Sequence, residues 1–102
     1  MNALPFAQVY DMSLLRLQEA VDLQLKMAEQ TASMGTRRHL PETVHWLAGA
    51  IHQWHSTMIF LCEVATKPGA ERSVTAARVD VDRRRLEVEI AASVEEMSNP
   101  KQ

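Results

Sequence analysis

Four histidines and a single cysteine are the side chains of this 102-residue chain most suited to metal binding or nucleophilic chemistry. Three of the histidines, His45, His52 and His55, fall in one apolar segment. On a helix, His52 and His55 share a face, and His45 sits two turns before His52. Imidazoles that converge in this way hold divalent metals. The spacing is not that of the zinc-protease helix, where two histidines stand four apart around a glutamate. A third ligand would have to be Cys62, Glu63 or a residue of another element, and Cys62 lies two turns beyond His55. The residues therefore give a second-choice reading, a metal- or small-ligand-binding helical protein using His52 and His55. No metal or cofactor is expected on the first.

Cys62 follows Ile59, Phe60 and Leu61, an apolar run in which a thiol packs as a small hydrophobe instead of ionising. Being the sole cysteine, it excludes an internal disulfide, which suits a reducing compartment such as the cytoplasm. No serine is set among the glycines of a nucleophile elbow, and the three glycines are too dispersed to cradle phosphate. No residue is nominated as catalytic, and a non-enzymatic protein is expected. The clusters Arg83-Arg84-Arg85 and Arg37-Arg38-His39 are the basic points. Asp80, Asp82, Glu87 and Glu89 offset the first. A net charge of −2 gives no field for phosphate, so direct nucleic-acid binding is not expected.

Three elements must position these groups. From Ser13 to Met34, Leu14, Leu17, Val21, Leu25, Ala28 and Ala32 recur at steps of three and four, the period of an amphipathic helix. Asp11 or Ser13 is a candidate cap for its start, and Gly35 ends it. Residues 1–12 form an apolar arm or an earlier turn beginning at Pro5. A second helix spans 41–66, with Pro41 in its first turn and Pro68-Gly69 beyond its end. Between Thr43 and Cys62 it carries no Lys, Arg, Asp or Glu. Its histidines, Gln53, Ser56 and Thr57 make a membrane span costly, so a buried central helix is expected. The third segment, 71–97, reads as a helix with Val79, Leu86, Ile90, Val94 and Met97 on one face. Val74, Val81 and Val88 recur every seven residues on another. A hairpin turning at residues 82–85 is the alternative, but that turn lacks the Gly or Asn that tight hairpins use.

The expected fold is thus all-α, a single domain of about three helices. The second helix is apolar around too much of its circumference for two neighbours to cover, so a homodimer or a partner-binding face is expected. Leu14, Leu17, Val21 and Leu25, with Leu47, Ile51, Trp54 and Met58, read as core. Trp46, Ile59, Phe60, Leu15 and Leu23 are the surplus and the expected contact residues.

Leu17 to Ala28, followed by His45, Trp46, Leu47 and Ala48, resemble the small helical quorum-sensing anti-activators of pseudomonads over roughly the first two-thirds of the chain. The resemblance implies a regulator that binds a LuxR-type transcription factor and blocks its dimerisation or DNA binding. It assigns no role to any individual residue.

Overall fold

The computed structural model describes residues 5–35 and 39–98. These form three helices, α1 (Phe6–Ser33), α2 (Leu40–Ala65) and α3 (Ala70–Ser98), and no strand occurs among them. The third segment is one uninterrupted helix, with no hairpin at residues 82–85. Arg37 and Arg38, along with Met1 to Leu4, lie outside the described residues.

Helix α1 begins two turns earlier than the spacing from Ser13 suggests. Pro5 precedes its first turn and accepts hydrogen bonds from the Gln8 and Val9 amides at 3.0 and 3.1 Å, with no side-chain cap. Residues 6–12 are thus helix, not an arm, and neither Asp11 nor Ser13 caps anything. Gly35 does follow the helix end in a left-handed conformation, φ 88°, which glycine adopts without a Cβ penalty. Pro41 occupies the first turn of α2, where its missing N–H costs nothing.

The far end of α2 is closed from outside the helix. Arg72 Nη2, from the first turn of α3, donates to the Glu63 carbonyl at 2.7 Å and to that of Thr66. A cation there satisfies orphan carbonyls at the negative end of the helix dipole.

All three helices contribute to one core. Tyr10, Leu17, Val21 and Leu25 of α1 meet Leu47, Ile51, Trp54 and Met58 of α2 and Val79, Leu86 and Ile90 of α3. Each such side chain contributes about 1.5–3 kcal/mol of transfer free energy when fully buried. Every core residue expected on α1 and α2 is buried except Leu14, which is half-buried against the cluster.

Candidate interaction surfaces

The outward faces follow from helical geometry. Consecutive residues turn by roughly 100°, so the buried positions of each helix fix where its other side chains point. On α2, Trp54 Nε1 donates to Ser13 Oγ of α1 at 3.0 Å, and His55 bonds Asp80 of α3 at 2.8 Å. Those contacts mark the two flanks of α2. Trp46, Gln53, Thr57, Phe60 and Val64 lie beyond the α1 flank, on the outer surface of the α1/α2 pair. Trp46 is 51% exposed, Phe60 62% and Val64 70%. Leu23 and Met27, on the outer side of α1, are also exposed. Met27 and Thr43 line the same cleft between the end of α1 and the start of α2, one turn from Trp46.

The expected contact residues do not form a single patch. Trp46, Phe60 and Leu23 belong to the α1/α2 face. Leu15 is exposed but points to the α3 side of α1, on the flank from which Asp11 and Gln18 reach α3. Ile59 is partly buried and packs against the core, because it lies just past the α3 flank of α2. It is support for the fold more than free surface.

A second uncovered apolar face lies on α3. Val74, Val81 and Val88 are all exposed, 180° or nearly so from the buried Val79, Leu86 and Ile90. A stripe directly opposite the core of the third helix points away from α1 and α2. The two apolar faces are therefore on opposite sides of the bundle. Arg84 and Arg85 flank the valines between Val81 and Val88. Arg85 donates to Gln18 at 3.0 Å, while Arg84 makes no ion pair among the described residues.

The polar groups that could do chemistry are dispersed. His55 is held by Asp80, whereas His45 and His52 point to solvent on the outer side of α2. Among the described residues no group of three or more His, Cys, Asp or Glu is placed to hold a metal. Cys62 is buried, and its sulfur meets only Thr66 Oγ1 at 3.7 Å and the Arg72 carbonyl at 3.8 Å. Neither neighbour is a base that could deprotonate it.

One polar knot was not evident from spacing. The Tyr10 hydroxyl donates to Asp82, the Arg78 guanidinium sits 4.3 Å over the Tyr10 ring, and Trp54 meets that ring edge-on at 5.6 Å. Burial, with the Asp82 carboxylate second, raises the Tyr10 pKa well above its ordinary value. The knot joins all three helices, with Tyr10 itself buried. It is structural.

No helix among the described residues is long and apolar enough to cross a membrane. Compared with known proteins, the chain matches no family model, no curated protein and no solved structure.

Proposed function

We propose that this chain is a non-enzymatic protein–protein interaction module of the cytoplasm that works as a homodimer and uses its second face to hold a foreign protein. The observation that carries the reading is the pair of uncovered apolar faces on opposite sides of one small bundle. Trp46, Phe60 and Val64 form one, and Val74, Val81 and Val88 the other. Water-exposed apolar rows of this length mark contact surfaces. β-branched residues also cost helix propensity, so three valines at heptad spacing on a solvent face are better explained by a partner helix than by the isolated bundle.

The α3 face suits a foreign helix with apolar residues every seven positions and acidic flanks to meet Arg84 and Arg85. The resemblance to anti-activators would make its owner a LuxR-type transcription factor, occupied and thereby kept from DNA. The deciding experiment is a binding titration with a purified LuxR-type regulator. Binding that Val81→Glu abolishes, with the helical signal intact, supports the reading. No binding, or binding indifferent to Val81, contradicts it.

A metal role for His52 and His55 finds little support in this geometry. His55 is committed to Asp80 at 2.8 Å, and among the described residues no group of three or more His, Cys, Asp or Glu is placed to hold a metal.

A further inference from the structure

We infer that the α1/α2 face is covered by a second copy of this chain, with α2 packed antiparallel on its counterpart about a two-fold axis at Gln53. This deepens the proposed dimer and rests on the reading that the face is a contact surface.

The argument starts from symmetry within α2. An antiparallel pair centred on Gln53 places each residue opposite the one equally far on the other side of position 53. Trp46 and Phe60 are both seven away, Gly49 and Thr57 both four, Ala50 and Ser56 both three. The outer stripe is therefore large at both ends and small around the centre, where Gly49, Ser56 and Thr57 are exposed and Ala50 is half-buried at the edge of the core. Two copies related by a two-fold axis present the same patch to each other, so residue-for-residue complementarity of this kind closes an isologous interface. Trp46 of each copy meets Phe60 of the other, which gives two aromatic contacts at once. Gln53 meets its own counterpart, and a carboxamide both donates and accepts, so the pair satisfies itself and sets the register.

Gly49 supplies an independent observation. It stands in the interior of α2, and a glycine there costs about 0.5–1 kcal/mol relative to alanine. The backbone conformation does not require it, since the left-handed glycines of the structure are Gly35 and Gly69. Packing within the chain does not require it either, because a Cβ added at Gly49 meets nothing within 4 Å. A second backbone approaching over this position gives the missing side chain a use.

Charge separates this face from the one on α3. Between Thr43 and Cys62 there is no Lys, Arg, Asp or Glu to repel its copy. On α3, antiparallel self-pairing about Val81 sets Arg78 opposite Arg84, and parallel pairing sets Arg84 beside Arg84. Like charges so placed disfavour self-association. In the α2 pair, Glu42 of one copy comes opposite Val64 of the other at the rim, where its carboxylate stays in water. A 26-residue helix is about 39 Å long. Its single face is smaller than the ~800 Å² per partner of a standard interface, so Leu23 and Met27 of α1 must add to it.

Cysteine cross-linking in full-length protein carrying Cys62→Ala tests the arrangement. Gln53→Cys is expected to form a disulfide-linked dimer under mild oxidation. Trp46→Cys mixed with Phe60→Cys, which keeps one of the two aromatic contacts, is expected to cross-link far more than either alone, and Val81→Cys not to cross-link. Gly49→Ala should raise the thermal midpoint of the monomer yet weaken dimerisation tenfold or more. Self-linking of Ser56→Cys as fast as Gln53→Cys would mean parallel pairing and overturn the proposal, as would linking at Val81 in place of Gln53. A chain that stays monomeric but binds a foreign protein through Trp46 and Phe60 overturns the second copy and leaves the contact surface standing. A monomer whose binding is indifferent to both residues removes the surface too.

Discussion

Tyr10 and Asp82 lie 72 positions apart in the chain, and the Tyr10 hydroxyl donates to Asp82 Oδ2 at 2.5 Å. This bond ties the start of α1 to the middle of α3. Asp82 is largely shielded from solvent and is also approached by Arg78 and Arg85 at 3.7 and 3.9 Å. Tyr10→Phe keeps the ring against Trp54 and Arg78 but removes the donor. A loss of about 1.5–3 kcal/mol is expected, as for hydrogen bonds to charged groups, read from urea unfolding midpoints.

The same pair gives a pH dependence of known sign. Tyr10 is the chain's single tyrosine, so its ionisation is read directly by ultraviolet absorbance. Its folded-state pKa is raised, first by burial and then by Asp82, above the ordinary value of 10.0. The folded state holds the proton more tightly, so the stabilisation is complete below pH 10 and declines as pH rises beyond it. Wild type should therefore lose stability above pH 10 more steeply than Tyr10→Phe. Equal alkaline slopes would contradict the assignment.

The two tryptophans should separate cleanly. Trp54 is 7% exposed and bonds Ser13, whereas Trp46 is half exposed. Trp54→Ala should cost about 3–5 kcal/mol or prevent folding, as large core truncations do. Trp46→Gln should change unfolding of the isolated monomer by less than about 0.5 kcal/mol, as surface changes do, while weakening association. In Trp54→Phe, which leaves Trp46 as the sole tryptophan, emission excited at the red edge of indole absorption should shift to the blue as protein concentration rises.

The spacing of Leu17, Val21, Leu25, Leu47, Ile51, Trp54 and Met58 made the helices and their buried faces legible, because burial on a helix repeats with its turn. Exposure of Trp46 and Phe60 was legible for the same reason. Ile59 was not, since one position of rotation separates a flank packed on α3 from open surface, and the rotation depends on where the third helix docks. The Tyr10–Asp82–Arg78 knot was hidden too. Its partners are distant in sequence, and Tyr10 sits in a lead-in whose apolar residues fit an arm as well as a helix. Asp80 illustrates the limit of local rules: it stands four residues from Arg84, yet its carboxylate turns to His55 of α2.

That inter-helix pair should contribute little. Asp80 is mostly exposed, so a double-mutant cycle of His55→Ala and Asp80→Ala should give a coupling of about 0.5 kcal/mol. Metal analysis of untagged protein should find no stoichiometric zinc, iron or copper. Metal that disappears in His52→Ala would favour the ligand-binding reading.

Sedimentation equilibrium of wild type and Phe60→Glu, across a hundredfold range of concentration, tests the central claim most directly. Wild type is expected to shift with concentration from the 11.5 kDa monomer toward twice that mass. Phe60→Glu is expected to stay at 11.5 kDa with its helical circular dichroism unchanged. A wild type that remains monomeric throughout, or a Phe60→Glu chain that dimerises as well as wild type, would contradict the account.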